Sequence, residues 1–253
     1  MSTGLEGASI IVTGAGSGIG RATALQFVAA GAKVVVADIS AERADEVVAE
    51  IVAAGGLAVA VAGDLADQAV VDRVVATAVD SFGGVDVLVN NAGIMDSMSG
   101  PDETTDAEWD RVIRVNLTAP FMLTRAVLPI MEAKGKGAIV NTASEAALRG
   151  SCAGTAYTAS KHGVVGLTRS TAIMFRNRGV RVNAVAPGAV ATNIEVTLDP
   201  EHTGPATIGP YMANLGRVAQ SDELASAIVF LASDAASNIT GVVLPVDNGW
   251  SAV

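Results

Sequence analysis

Short apolar runs alternate with helix-patterned segments along the whole chain, and no other feature restricts its fold as much. Ala8 to Val12 is an apolar run closed by Thr13-Gly14. A helix pattern follows from about Gly18 to Ala30 and stops at Gly31, and Lys33 to Ala37 is a second run ending on Asp38. Ser40 stands where a helix N-cap belongs, ahead of a helix to about Ala54 with a Gly55-Gly56 stop. Leu57 to Ala62, Val85 to Val89, Gly137 to Thr142, Val180 to Ala186 and Val242 to Val246 read as the other strands. Helices are expected from about Asp67 to Phe82, Asp106 to Lys134, Thr155 to Arg178 and Ser221 to Leu231. Strict alternation predicts parallel pairing, because a crossover helix must cover the sheet it returns to. The expectation is one α/β domain spanning residues 1–253: a Rossmann-like, doubly wound, parallel seven-stranded sheet with helices on both faces.

Two stretches depart from this rhythm. Pro120 and Pro129 lie inside the Asp106 to Lys134 pattern, so that helix is not expected to be straight. From Pro187 to Ala219 the periodicity fades, and Pro200, Gly204, Pro205, Gly209 and Pro210 interrupt it. A structureless stretch this long inside a compact domain predicts a lid or substrate loop.

Composition narrows the class. The 253 residues are ample for a sizeable core, and half are hydrophobic. The net charge of −10 argues against nucleic acid or an anionic membrane as partner. Cys152 is the single cysteine, which excludes an intrachain disulfide and a multi-cysteine metal site, and no metal is expected. The amino terminus lacks a basic start leading into an apolar core, and no run approaches the ~18 apolar residues of a bilayer span. A cytoplasmic protein is expected.

The first loop has a chemistry of its own. Strand, then Thr13-Gly14-Ala15-Gly16-Ser17-Gly18-Ile19-Gly20, then helix, sets small residues and unpaired N–H groups where a backbone would approach a pyrophosphate. The spacing is G-x-x-x-G-x-G through Gly14, Gly18 and Gly20, since Ile19 occupies the third-glycine place of G-x-G-x-x-G. Asp38, at the end of the second strand, is placed to accept hydrogen bonds from ribose hydroxyls and to repel a 2′-phosphate. Neither Ser17 nor Ile39 supplies a cation for such a phosphate, so NAD is expected over NADP. Asp64-Leu65, after the third strand, suits either an adenine contact or a turn.

Tyr157-Thr158-Ala159-Ser160-Lys161 places a phenol and an ammonium on one helix face, a turn apart. A nearby cation favours the phenolate, and bringing a Tyr from ~10 to ~7 requires about 4 kcal/mol of differential interaction. A Tyr so tuned can give a proton to an alcohol oxygen or take one from it. The spacing alone is common on solvated helices.

Taken with Asn90-Asn91-Ala92-Gly93, Asn116, Ser144, Pro187-Gly188 and Thr192 in this order, these motifs resemble the short-chain dehydrogenase/reductase family of single-domain type, from Ala8 to the carboxyl terminus. The resemblance implies Tyr157 as general acid and base, Lys161 lowering the phenol pKa and holding the nicotinamide ribose, and Ser144 bonding the reacting oxygen. Asn116 is implied as support for a proton-relaying water. Asn91, Ala92 and Gly93 are implied along the cofactor with Asn90 steadying the sheet, and Pro187, Gly188, Val190 and Thr192 at the nicotinamide. A homotetramer built on the Asp106 and Thr155 helices is implied as well. At the tail, Asn248 stands where relatives often carry glycine.

Specificity is expected from Met95, Ser97, Glu145, Leu148, Arg149, Cys152 and the Pro187 to Ala219 loop. Glu145 either meets a polar substrate or is solvated or salt-bridged. Met212 and Leu215 suit an apolar wall, and His202 is expected at the surface. Three functions follow. The first is an NAD-dependent oxidoreductase for a small or medium secondary alcohol or ketone. The second, an NADP-dependent 3-oxoacyl carrier-protein reductase, is disfavoured by Asp38 and by the non-basic Ile130-Met131-Glu132 and Thr171-Ala172-Ile173. The third, a non-catalytic dinucleotide-binding protein, has no need of Asn116, Ser144, Tyr157 and Lys161 together.

Overall fold

The computed structural model describes residues 3–199 and 201–253, so Met1, Ser2 and the loop proline Pro200 lie outside the described residues. Its elements are β1 (Ser9–Thr13), α1 (Gly18–Ala29), β2 (Lys33–Asp38), α2 (Ala41–Ala53), β3 (Leu57–Ala62), α3 (Gln68–Phe82), β4 (Val87–Asn90), α4 (Asp106–Ile113), α5 (Ala119–Lys134), β5 (Gly137–Thr142), α6 (Thr155–Phe175), β6 (Val180–Pro187), α7 (Gly204–Ile208), α8 (Ser221–Ala232) and β7 (Val243–Val246). Successive strand residues point to opposite faces, and this period of two divides the apolar runs between two cores. Ile10, Val12, Val34 and Val36 pack with Phe27 of α1, Ile51 of α2 and Ile228 of α8. Ile11, Val35 and Leu88 pack on the other face with Val74 of α3 and Leu123 and Met131 of α5.

The strands form one sheet in the order β3-β2-β1-β4-β5-β6-β7, every neighbouring pair parallel. From β1 the chain winds outward to β3, then returns to the other side of β1 through β4. A crevice therefore opens at the carboxyl ends of β1 and β4, where ligands bind in open α/β sheets. Side-chain caps start α2, α3 and α4: Ser40 accepts from the Arg43 N–H, Asp67 from Ala69 and Thr105 from Glu108.

Two expectations change. The helix from Asp106 passes through a π-helical turn, Arg114–Thr118, where the Ala119 N–H bonds the Arg114 carbonyl five residues back. Pro120 follows that turn directly and Pro129 lies inside α5, with helical backbone continuing on both sides of the π-helical turn. The Pro187 to Ala219 stretch is not structureless either: Pro205 and Pro210 lie in the first turns of α7 and of a 3-10 helix, Gly209–Asn214. Residues read as breakers start helices instead. The stretch is clipped at its base, Ala191 N–H to the Ala219 carbonyl and Ala219 N–H to Ala189, both 2.9 Å. No helix among the described residues is long and apolar enough to cross a membrane.

Candidate active site

Thr13 stitches the crevice together. Its hydroxyl accepts from the Asn91 and Ala92 N–H groups at 2.9 and 3.0 Å and donates to the Val89 carbonyl at 3.3 Å. The Asn91 amide answers by donating to the Thr13 carbonyl at 3.1 Å. A Cβ on Gly20 would stand 2.1 Å from the Gly14 carbonyl oxygen, and one on Gly14, whose φ is +60°, 2.9 Å from the Ala92 Cα. Backbone packs on backbone here, which is why these positions are glycine. Ser17 is the N-cap of α1 but makes no capping hydrogen bond, and the first turn holds no acidic residue. A helix N-terminus left uncapped fits an anion. Ile19 packs against the first core.

Asp38 is buried, with Oδ2 accepting from the Gly16 N–H at 2.9 Å and Oδ1 from Ser40 at 3.0 Å. Arg43 lies 3.3 Å from Oδ1, a cation that reading the sequence around Ser17 and Ile39 missed. Asp64 accepts from the Ala66 N–H and pairs with Arg114, while Leu65 joins the second core. At the other end of the crevice, a Cβ on Gly18 would meet the Thr192 side chain at 3.3 Å, and one on Gly188 the Asp247 Cα at 2.9 Å. Pro187 ends β6, and Val190 bridges to Ala219.

Tyr157 and Lys161 are both buried on α6. Burial pushes the phenol up to about 12, opposed by a hydrogen bond with Ser144 and reinforced by the negative charge of Asp96. The expected lowering by Lys161 is not realised in the protein alone. Its Nζ sits over the ring face, 5.4 Å from the centroid, and donates to the Thr142 carbonyl at 2.8 Å. The ammonium therefore addresses the ring rather than the phenolic oxygen, and burial decides the pKa. The same burial lowers Lys161 to about 8. Asn116, in the π-helical turn, is tied to Ile94 in both directions, accepting from its N–H and donating to its carbonyl, each at 2.9 Å. Its amide also reaches Ser160 at 3.2 Å. Gly93 lies between these groups, since a Cβ there would be 3.4 Å from Asn116 Oδ1 and 3.5 Å from Lys161 Nζ. Asn90 bonds Asn141 at 2.8 Å, and Asn141 bonds Thr168, a buried polar chain crossing the sheet.

A family model described as enoyl-(acyl carrier protein) reductase matches residues 14–251. The short-chain dehydrogenase/reductase olcF of Penicillium canescens is 41% identical, covering 98% of each chain. The chain is a short-chain dehydrogenase/reductase. Cyclohexanol dehydrogenase of Acinetobacter sp. (strain SE19) is 40% identical over 99% of this chain and 98% of that one. The structure of 3-ketoacyl-(acyl-carrier-protein) reductase from Brucella melitensis complexed with NADH has a TM-score of 0.88 at 37% identity, covering 98% and 99%. A Beutenbergia cavernae structure with NADP bound has a TM-score of 0.88 at 43% identity, covering 100% of both chains. This short-chain dehydrogenase/reductase is thus an oxidoreductase of the CH–OH group, which removes the reading as a non-catalytic binding protein.

Around Tyr157 this dehydrogenase/reductase builds an apolar wall from Ile94, Met95, Cys152, Met212, Leu215 and Trp250. Burial raises the Cys152 thiol to about 11, so it serves there as a neutral apolar group. Glu145, one alternative for which was a polar substrate contact, turns inward instead. It is 1% exposed and 2.5 Å from Arg149. Arg149 in turn bonds the Trp250 and Val253 carbonyls and lies over the Trp250 ring, so the tail is held against the site. His202 is half-buried rather than at the surface, its Nδ1 2.8 Å from Ser99 Oγ. Reading the sequence also missed Asp96, a buried carboxylate whose partners lie 58 and 61 residues away, too distant for any local pattern.

Proposed function

We propose that this chain is an NAD-dependent oxidoreductase for an apolar, ring-bearing secondary alcohol or ketone, with Tyr157 as the proton-transferring group. One observation carries it: a buried phenol, with Ser144 near enough to oppose the upward push of burial on its pKa, stands inside an apolar cluster beside a dinucleotide-shaped crevice. The name of the cyclohexanol dehydrogenase relative supports the ring. Gly14, Ser17, Gly18, Ile19 and Gly20 would hold the pyrophosphate, Asp38 the adenosine ribose, and Asp64 and Leu65 the adenine. Asn91, Ala92 and Gly93 would run along the cofactor, with Pro187, Gly188, Val190 and Thr192 at the nicotinamide. The cofactor, when bound, supplies or accepts the hydride.

The chain's own residues manage the proton. A phenol near 12 keeps its proton at neutral pH and passes it to the carbonyl oxygen as a ketone is reduced, leaving a phenolate; in the reverse direction that phenolate takes the hydroxyl proton of the alcohol. Ser144 donates to that oxygen as charge develops on it. Lys161, with a pKa near 8, is suited to return a proton toward Tyr157, with Asn116 ordering the adjoining turn. Large apolar side chains left exposed on α4, α5 and α6, namely Trp109, Phe121, Ile173 and Met174, support a homotetramer joined along these helices.

Arg43 favours a second reading, a carrier-protein reductase using NADP, because its half-exposed guanidinium stands where a 2′-phosphate would come. Asp38 opposes it. Dissociation constants for NADH and NADPH decide the cofactor: tighter NADH binding is expected, and a clear NADPH preference would overturn the reading. A screen of cyclic secondary alcohols, followed by nicotinamide absorbance, tests the substrate class. Faster NADPH-linked reduction of an acyl-carrier thioester would promote the second reading.

A further inference from the structure

The catalytic helix α6 begins without a cap of its own. Its N-cap is Gly154, which has no side chain to accept the orphan N–H groups of the first turn. Three of them are met from the loop after β4. Asp96 Oδ1 accepts from Gly154 at 3.1 Å, the Ser99 carbonyl accepts from Thr155 at 3.0 Å, and Asp96 Oδ2 accepts from the N–H of Tyr157 itself at 2.8 Å. Asp96 is 3% exposed and makes one further bond, from Met98 at 3.0 Å, bending the loop so that Met98 takes a φ of +60°. A left-handed non-glycine residue is a conformation that persists only where its surroundings enforce it. The fit at Gly154 is tight: a Cβ there would meet Asp96 Oδ2 at 2.6 Å.

We propose that Asp96 is a positioning residue for catalysis, fixing the backbone of Tyr157 by tying the start of α6 to the loop after β4. This rests on the assignment of Tyr157 as the proton-transferring group. Helix caps are usually local; this one crosses from a different element, so the loop carrying Ile94 and Met95 and the helix carrying Tyr157 move as one body. The same loop touches the Pro187 to Ala219 stretch, for a Cβ on Gly204 would lie 2.0 Å from the Met98 carbonyl oxygen and Ser99 bonds His202. The charged groups about Tyr157 are Asp96 from this loop, Lys161 from its own helix, and the Glu145–Arg149 pair beyond Ser144. Asp96 is the anion among them that raises the phenol, so removing its charge lets the phenol ionise at lower pH.

The test compares Asp96→Asn, Asp96→Ser and Gly154→Ala with wild type in oxidation of a cyclic secondary alcohol across pH. Asp96→Asn retains one acceptor oxygen, Asp96→Ser a short one, and Gly154→Ala displaces the carboxylate without removing it. A displacement of about 1 Å at a reacting group can lower rate about 100-fold. We expect kcat to fall by about 10-fold to 100-fold in the first and third variants, with KM and the NADH dissociation constant within about twofold of wild type. The alkaline rise in rate should move to lower pH in Asp96→Asn and Asp96→Ser, a shift that loss of packing alone does not produce. Wild-type kcat and an unmoved pH profile in a folded Asp96→Asn or Asp96→Ser would overturn the proposal. Tyr157→Phe, run alongside, separates the two claims: if it stays active the reading of Tyr157 fails, and if it is inactive while the Asp96 variants are normal only the positioning role fails.

Discussion

Tyr157 shows what spacing conveys and what it does not. Four residues along a helix place Lys161 beside the phenol, but which part of the ring the ammonium addresses depends on its far acceptor, the Thr142 carbonyl. Burial therefore sets the phenol near 12 in the protein alone, with the proton in place for ketone reduction. Alcohol oxidation requires the ionised phenol, so its rate should rise with pH, and reduction should fall only above the operative phenol pKa. The motif residues were legible because they recur in order; Arg43 and Asp96 were not, since what makes them matter is a partner across space. Asp38 gives the residue-scale prediction for the cofactor. Replacing it with Asn removes a charged acceptor worth about 1.5–3 kcal/mol, so NADH binding should weaken about 10-fold or more in a fluorescence titration. Unchanged NADH affinity would remove Asp38 from the ribose site.

At the scale of elements, strand and helix positions were readable from periods of two and 3.6, with ends off by three residues at most. The π-helical turn at Arg114–Thr118 was not readable, because the same side chains suit either helix and the bond to Ile94 that Asn116 makes is long-range. Pro205 and Pro210 misled for a different reason: proline marks a helix start as well as a break. Gly20 tests the glycine turn. Gly20→Ala puts a methyl against the Gly14 carbonyl, so cofactor binding should be lost or weakened at least about 10-fold while the far α6 site is left intact. Near-normal NADH binding by that variant would contradict the turn's proposed role. The 3-10 segment after Ser144 offers a pH test. Burial holds the Glu145 carboxyl above its ordinary range, Arg149 pulls it down, and Asp247 pushes it up. A carboxyl raised on folding leaves stability intact below its unfolded pKa and lowers it as pH rises toward the folded value. Arg149→Ala removes the restraint and so should cost up to about 3 kcal/mol at neutral pH, with the deficit shrinking in mildly acidic buffer. A deficit in thermal unfolding that does not vary with pH would assign the loss to packing on Trp250 instead.

On the scale of the whole molecule, the alternation of strand and helix was enough for the doubly wound parallel sheet, because right-handed crossovers leave few ways to cover both faces. How the Pro187 to Ala219 stretch folds was beyond it, since that depends on contacts of Gly204 and His202 with Met98 and Ser99. Exposed Trp109, Phe121, Ile173 and Met174 predict self-association; sedimentation velocity should give a species near four chains, and a persistent monomer would leave those side chains unexplained. The most direct measurement of the central claim is the rate of NADH formation from a cyclic secondary alcohol by wild type and Tyr157→Phe. General acid–base catalysis is worth about 100-fold to 10,000-fold, so the variant should lose at least about 100-fold at every pH while binding NADH normally. Turnover within about twofold of wild type in that variant would contradict the account.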